Sequence, residues 1–435
     1  MKKSIWTRVI LDLTGILMVL IPALVIACKQ PTVGAVSVIG VKLDQTELTL
    51  PAGKTAVLKA TVEPADATVR SVSWSAEPAD AVTLIDNKDG SCTVSAVKEG
   101  TATVTVTAAD GSHTAQCAVT VSPLDFEYDE TTNTYTVYTA KGLYAWAEAA
   151  NVDLETNCVL AADIVLEKPA EGQSNWQPVG SQDDTIVIMD RYKDTFDGRG
   201  YTIRNVTVNN SGSNYQGFFG IISGGAVKDV VLEDLSVTGW DSVGGIAGYS
   251  SGSVSGCYVK GSVRGMKLNV GGIVGLTSGG KIEGCCFDGS VQGTEYVGGI
   301  TGWADGVSVK ACRVKGVING TDTVGGIAGG LAAQNDDSSA ECIGCCADVQ
   351  IPQEAAYSGG VLGRSDTGTR YLNSCYWSDS PVSEGVINAA VQNFEKVPTK
   401  ISWTDATAKM NETLGANYGW KFVCTDNSLP QPVRQ

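Results

Sequence analysis

The sequence predicts an all-β protein built from a β-sandwich followed by a right-handed parallel β-helix with short helical caps. Three observations indicate this fold class. Short alternating strand-like runs occupy residues 38–122, a Val-Gly-Gly motif recurs at a fixed period in the second half, and helical periodicity appears in two short segments. The two predicted domains therefore differ in how their strands are arranged.

The composition narrows the possible functions. The chain has 435 residues, of which 43% are hydrophobic and 18% charged, so it is long and apolar enough to build folded cores. A net charge of −16 without a basic stripe argues against nucleic-acid binding. The single histidine, His113, lies in the turn "ADGSHTAQ", where we expect it to be exposed. One histidine rules out a zinc site that needs two.

Residues 1–27 are predicted to be a signal peptide. A basic start precedes the apolar run "GILMVLIPALVIA", which has signal-peptide length and is short for a membrane span. The run ends in "LVIAC", which resembles the lipobox of bacterial lipoproteins. This resemblance implies cleavage before Cys28, lipid attachment to its thiol, and a lipid-anchored protein of the bacterial envelope, at the outer membrane or cell surface. The alternative is an ordinary secretory signal with an incidental cysteine. Residues 28–37 then form a tether.

Residues 38–122 form the predicted sandwich. Runs such as "VLKATVEP" and "TATVTVTA" are separated by turn sequences such as "PAGK" and "KEGT". Trp74 alternates with Val72 and is the expected core aromatic residue. The stretches "VKLDQTELTLPAGKTAVLKATVEPADAT" and "VKEGTATVTVTA" resemble a group 2 bacterial immunoglobulin-like domain, which implies a spacer or adhesive module without an active site. Cys92 and Cys117 are in phase with apolar neighbours, so both should face the core, and the sequence leaves their disulfide state open.

Residues 123–380 form the predicted β-helix. Val-Gly-Gly begins at Val243, Val270, Val297 and Val324, each 27 residues after the one before. A fixed period of this size, with β-branched runs and no helical pattern, indicates that each repeat is one coil. Strand alternation predicts that two columns of residues point inward. These columns are Cys257, Cys285, Cys312, Cys345 and Cys375, and Ile246, Ile273, Ile300 and Ile327.

The residues that follow the column cysteines should point outward. They are Tyr258, Cys286, Arg313, Cys346 and Tyr376. We expect the thiols of Cys286 and Cys346 to be reactive in the folded protein, and the column cysteines to be buried free thiols.

The repeats resemble the GLUG motif of bacterial surface proteins. The resemblance rests on "GGIAG…GCYVKGSV", "GGIVG…GCCFDGSV" and the lead-in "FDGRGYTIRNVTV". Some immunoglobulin-cleaving metallopeptidases carry GLUG repeats, but their zinc motif has two histidines, which this chain lacks. The resemblance therefore implies a surface protein and not that activity.

Two helices are predicted to close the coil stack. "KGLYAWAEAAN" places Leu143, Trp146, Ala147 and Ala150 at helical spacing after the potential N-cap Thr139, and it should cover the N-terminal end. "WTDATAKMNETLG" places Ala406, Met410 and Leu414 on one stripe before Gly415. It belongs to a C-terminal cap or appendage over residues 381–435.

The candidate functional residues are aromatic, acidic and cysteine side chains. The aromatic residues Trp240, Tyr249, Tyr296 and Trp303 lie near the closing glycines of the repeats and are candidate ligand contacts, with packing as the alternative. The lead-in aspartates suggest a glycosidase pair or calcium ligands, but a solvated loop is favoured because their spacing matches no calcium loop. These residues are Asp183, Asp184, Asp190, Asp194 and Asp197. The adjacent cysteines Cys285–Cys286 and Cys345–Cys346 lack metal-site spacing.

These observations predict a non-catalytic surface lipoprotein that binds an extracellular glycan or a protein of a host or neighbouring cell. No catalytic residue, metal ion, cofactor or nucleic-acid partner is expected. A β-helix enzyme that degrades polysaccharide, as a lyase or glycosidase, is the alternative, and a purely structural envelope component is a third possibility. Outward repeat positions rich in Ser, Thr, Gly and Lys favour binding over catalysis.

Overall fold

The computed structural model describes residues 34–435 except 111, 181–190, 334–338, 352–354, 366–368, 379–381, 383 and 388–391. Cys28 and the aspartates at 183, 184 and 190 lie outside the described residues. The regular secondary structure of the described residues is almost entirely β-strand, with two helices. It divides into two compact units, the first ending at Val121 and the second running from Ser122 to Gln435, with residues 51–53 grouped with the second.

The first unit is a sandwich of two antiparallel four-stranded sheets. In spatial order, the first sheet contains Gly40–Leu43, Thr55–Glu63, Ser91–Ala96 and Val82–Asp86. The second sheet contains Glu47–Pro51, Thr114–Ser122, Gly100–Ala108 and Val72–Glu77. Alternate residues of these strands are buried, as the period-2 pattern predicts.

Both cysteines of the sandwich are fully buried free thiols, which confirms that they face the core. Burial raises the pKa of Cys92 to about 11. Trp74 packs against the core of the sandwich, as predicted, but it is only half-buried because its strand Val72–Glu77 lies at a sheet edge. His113 is half-buried rather than exposed.

The second unit begins with a helical cap. Strands Phe126–Asp129 and Thr134–Val137 lead into helix α1, Ala140–Val152. The Thr139 hydroxyl caps α1 by accepting a 3.2 Å hydrogen bond from the backbone N–H of Gly142. The predicted stripe is buried, and Trp146 packs on the inward ring of Phe196 with 4.8 Å between centroids. The expectation of an N-terminal cap is therefore confirmed.

The following coils stack their strands into four parallel columns, consistent with a β-helix. The first column contains Thr134–Val137, Asn157–Leu160, Thr195–Asp197, Ala226–Lys228, Ser253–Ser255, Lys281–Glu283, Ser308–Lys310, Ser339–Ile343 and the first half of Thr369–Ser378. The second contains Ile164–Val165, Thr202–Arg204, Thr207–Asn209, Val231–Gly239, Tyr258–Gly265, Cys286–Gln292, Arg313–Asn319, Cys346–Gln350, the second half of Thr369–Ser378 and Gln392–Lys396.

The remaining two columns complete each coil. The third contains Val243–Gly244, Leu268–Gly271, Glu295–Gly298, Thr323–Gly325 and Tyr357–Gly359. The fourth contains Phe219–Ile222, Ala247–Ser250, Val274–Ser278, Thr301–Asp305, Ala328–Ala332, Leu362–Ser365 and Val386–Ile387.

Both predicted inner columns are confirmed, because all five column cysteines and all four isoleucines are at most 1% exposed. The cysteines lie at the corner between the first and second strand columns. Cys257 Sγ donates to the Val227 carbonyl of the preceding coil at 3.8 Å, and Cys312 Sγ does the same to Ile282. Burial raises the pKa of Cys312.

The C-terminal segment (residues 397–435) is an appendage on the coils, which is one of the two expected arrangements. It contains helix α2, Trp403–Leu414, and a hairpin of Trp420–Val423 and Gln431–Arg434. The α2 N-cap is Ser402, whose hydroxyl accepts from the backbone N–H of Asp405, and the helix ends at Gly415. Arg434 pairs with Asp229, and Trp420 covers Gly284. These contacts show that the segment lies along the side of the coils.

Candidate functional site

An aromatic strip lies on the outward face of the fourth column. Tyr249, Leu276 and Trp303 occupy equivalent positions in three successive coils and pair directly across the sheet. All three are half-buried, so each presents part of its side chain to solvent. With coils about 4.8 Å apart, Tyr249 and Trp303 are separated by roughly 10 Å. We define the aromatic strip as these three residues together with Tyr215 and Tyr296.

Two tyrosines complete the strip: Tyr215, and Tyr296 of the third-column strand Glu295–Gly298. Tyr215 packs edge-on against Tyr249 with 6.3 Å between ring centroids, and Tyr296 packs edge-on against Trp303 at 4.6 Å. Both tyrosines have left-handed backbone conformations, with φ of 55° and 54°. Burial raises the pKa of Tyr215, so its hydroxyl stays protonated and able to donate at neutral pH.

The neighbours of Trp303 leave room for its ring. Gly330 is its partner in the next coil, and a Cβ atom there would lie 2.4 Å from Trp303 Cε3. The indole therefore extends over the next coil. Asp305 follows two positions after Trp303 on the same strand, is half-buried like it, and has its pKa raised by burial. The strip thus combines flat apolar rings with a carboxyl group.

Three of the four predicted contact residues, Tyr249, Tyr296 and Trp303, are brought together in this strip. Trp240 is not in the fourth column; it follows the second-column strand Val231–Gly239 and is 44% exposed. Sequence reasoning missed Tyr215, although it begins the degenerate repeat copy "YQGFFG".

The outward side of the second column forms a different surface, which the C-terminal segment partly covers. A groove of about 530 Å³ is lined there by residues that include Asp288, Arg313, Lys315 and Trp420. Arg313 Nη2 contacts Asp288 Oδ1 at 2.6 Å, and the Tyr258 hydroxyl donates to Asp288 Oδ2 at 3.0 Å. Burial, followed by the Asp288 charge, raises the pKa of Tyr258 to about 12.

The thiols of Cys286 and Cys346, which were expected to be exposed, are partly or completely buried. Cys346 and Tyr376 are completely buried against Ala406 and Met410 of α2. Cys286 is half-buried, and burial raises its pKa to about 11. Cys346 is therefore covered by a segment more than 50 residues away in sequence, whereas Cys286 stays partly exposed in the groove beside that segment.

The described acidic residues of the lead-in do not converge on one site. Asp197 pairs with Lys228 at 3.0 Å. Asp194 accepts from the side-chain amide of Asn157, and its pKa is raised by burial and by neighbouring Glu155 and Asp153. Among the described residues, the group of three or more potential metal ligands whose donor atoms converge is Cys342, Cys345 and Cys375. The sequence signal for this three-cysteine group is the Cys-x-x-Cys spacing of Cys342 and Cys345. The group was not predicted from the sequence.

Residues 37–119 match the family of bacterial Ig-like domains (group 2), which confirms the predicted sandwich as such a domain. Halomucin of Haloquadratum walsbyi is 30% identical over 130 residues, which are 30% of this chain and 1% of halomucin. An uncharacterized protein of Bacillus cereus is 33% identical over 88 residues, 20% of this chain and 66% of that protein. In the described part of the chain, no helix combines the length and apolar character needed to cross a membrane.

Proposed function

We propose that this protein is a non-catalytic cell-surface binding protein whose aromatic strip contacts an extracellular glycan. The observation that carries the proposal is the alignment of Tyr249 and Trp303 in equivalent positions of the fourth column, each flanked by a tyrosine. A sugar ring has apolar C–H faces and hydroxyl groups at its edge, so flat aromatic side chains beside polar groups suit it.

The Ig-like domain and the chemistry of the coils support this assignment. A bacterial Ig-like domain suits a spacer that holds a binding region away from the cell, and the match to halomucin is compatible with an extracellular location. Asp305 lies beside Trp303 at one end of the strip and Asp241 lies near Tyr215 at the other end, whereas the glycosidases of the alternative hypothesis need two carboxyl groups that face each other across one bond. We therefore favour binding over polysaccharide cleavage.

The test is glycan-array binding by residues 36–435, followed by titration of the best ligand. We expect Trp303→Ala and Tyr249→Ala each to weaken binding by roughly 30-fold, because removal of a central aromatic contact costs about 2 kcal/mol. Tyr371→Ala is the matched control, since Tyr371 is 56% exposed and lies on the first column. Equal losses in all three variants, or release of shortened sugar products, would contradict the proposal.

The proposed attachment to the envelope is through lipid on Cys28, with the coils as GLUG repeats of a surface protein. This part rests on the sequence "LVIAC" after an apolar run. We expect Cys28→Ser to move the protein from the membrane pellet to the soluble fraction and to abolish labelling by a clickable palmitate analogue. A Cys28→Ser protein that still takes up the label and still pellets would show that the anchor lies elsewhere.

A further inference from the structure

Three buried thiols meet at one corner of the coil stack. Cys345 and Cys375 are consecutive members of the cysteine column, and Cys342 lies at the end of the first-column strand Ser339–Ile343. The three Sγ atoms lie within 4.8 Å of one another, and those of Cys342 and Cys375 are 3.8 Å apart. Each residue is at most 1% exposed. The cluster is therefore enclosed in the core and separate from the aromatic strip.

Cysteine is uncommon at the position of Cys342 in the first column, where the register of the described strands otherwise places it only in the strand Asn157–Leu160, as Cys158. The strand register aligns Cys342 with aliphatic residues in the neighbouring coils, namely Val254, Ile282, Val309 and Leu372. A coil of this kind therefore folds well with an aliphatic side chain at this position. Gly344, with φ of 60°, turns the chain between Cys342 and Cys345, so that both thiols point to the same interior space. What distinguishes Cys342 is that its thiol converges with the thiols of two column cysteines.

The arrangement has the dimensions of a thiolate metal site. Three sulfur atoms placed about 2.3 Å from one ion lie roughly 3.8–4.0 Å apart. The Cys342–Cys375 separation of 3.8 Å already has this value, and the other two pairs need to close by about 1 Å at most. Thiolates prefer soft ions such as Cu(I) and zinc over hard ions such as calcium and magnesium.

The number of ligands distinguishes between the two candidate ions, Cu(I) and Zn²⁺. Structural zinc sites are almost always four-coordinate. In the described residues, the converging set holds three sulfurs and no histidine or carboxylate, and the thiol of Cys312 contacts Cys345 but lies outside the set whose donor atoms are all within 4.8 Å of one another. We propose that Cys342, Cys345 and Cys375 bind one thiophilic metal ion, with Cu(I) preferred over Zn²⁺. Because the site is enclosed, the ion enters as the coils fold, and the thiols release their protons to solvent as the metal–sulfur bonds form.

The test compares three proteins unfolded, then refolded anaerobically under reducing conditions with limiting Cu(I), excess Zn²⁺ and a competing chelator. Metal content is measured by mass spectrometry, and sulfur coordination by X-ray absorption. We expect about one copper ion per chain in the wild type and none in Cys342→Val, which restores the aliphatic residue of the other coils. Cys257→Ala is the matched control, because it removes a column cysteine outside the cluster and should leave copper binding unchanged.

Three results would overturn the proposal. The first is equal copper content in the wild type and Cys342→Val, with both folded by circular dichroism. The second is selective uptake of zinc over copper in the competition. The third is a disulfide between Cys342 and Cys375 in the protein isolated from cells, seen as a joined peptide whose mass is two hydrogens lower. Cys375→Ala provides a second variant, expected to lose copper as Cys342→Val does.

Discussion

Tyr418 donates a 2.8 Å hydrogen bond to Glu283 Oε1, which lies 135 residues earlier in the chain. This bond joins the C-terminal segment to the corner of a central coil. One residue further along the same corner, Gly284 lies under the indole of Trp420. The repeats and the C-terminal segment thus form one core along the side of the stack, and four predictions follow from its contacts and burial.

Gly284→Ala should destabilise the protein and displace Trp420. A Cβ atom at position 284 would lie 2.4 Å from Trp420 Cε2, and the backbone φ is +62°. The combined cost of crowding and backbone strain should be about 2–4 kcal/mol in the free energy of unfolding. Gly279→Ala is the control, because φ is +76° there but the space is open, so its cost should be about 1 kcal/mol. Equal costs in chemical denaturation would contradict the packing role of Gly284.

Met410→Glu should detach the C-terminal segment and expose Cys346. Met410 is fully buried against the outward face of the coils, and an unpaired carboxylate there is costly. A maleimide should then label Cys346 in the folded protein, whereas Cys285, which lies inside the coil, should stay unlabelled. Glu412→Gln changes an exposed position of the same helix and should leave Cys346 protected. Peptide mass spectrometry measures labelling at both cysteines, and labelling of Cys346 in the wild type would show that the segment is not docked.

Loss of Asp288 should cost more stability than loss of Arg313. The side chain of Arg313 is 5% exposed, so Asp288→Ala leaves a buried cation without its partner, at a cost of about 3–5 kcal/mol. The side chain of Asp288 is 27% exposed and also accepts from Tyr258, so after Arg313→Met it can be rehydrated, at a cost of about 1–2 kcal/mol. Urea denaturation of the two variants measures the difference. The reverse order would show that Arg313 is solvated in solution.

Stability should fall as the pH rises above about 8.5, the pKa of an unfolded cysteine. Burial raises the pKa of Cys346 well above that value, so the folded protein keeps its proton while the unfolded chain loses it. The contribution of Cys346 to the free energy of unfolding is complete below about pH 8.5. It is lost progressively as the pH rises toward the folded pKa of this thiol, at about 1.4 kcal/mol per pH unit. Cys346→Ala should reduce the slope of unfolding free energy against pH by this amount. Identical slopes, measured with reductant present, would contradict the burial of this thiol.

The sequence by itself determined the coil and the direction of its side chains. The period of 27 residues defines one turn of the stack, and alternation along a strand is a local property, so Cys312 and Ile300 could be assigned to the interior without coordinates. The cap residue Thr139 and the buried stripe of α1 followed from helical periodicity in the same way.

The aromatic strip could be predicted only in part. The repeat places Tyr249 and Trp303 in equivalent positions, but the approach of Tyr215 and Tyr296 depends on the left-handed backbone conformations of these two tyrosines. Trp240 is also an aromatic residue of the repeat region, yet it follows a strand of the second column. Which aromatic residues share a surface depends on how the chain turns at each corner, and composition does not specify this.

Only the tertiary structure decided what covers the outward face and which thiols converge. Cys346 has the parity of an exposed residue, yet a segment far along the chain packs over it. Cys342 meets Cys375 because two coils stack with one particular register around a corner. Strand parity follows from the backbone geometry of consecutive residues, whereas burial and convergence depend on contacts between residues 33 to 205 positions apart, for which the sequence carries no local signal.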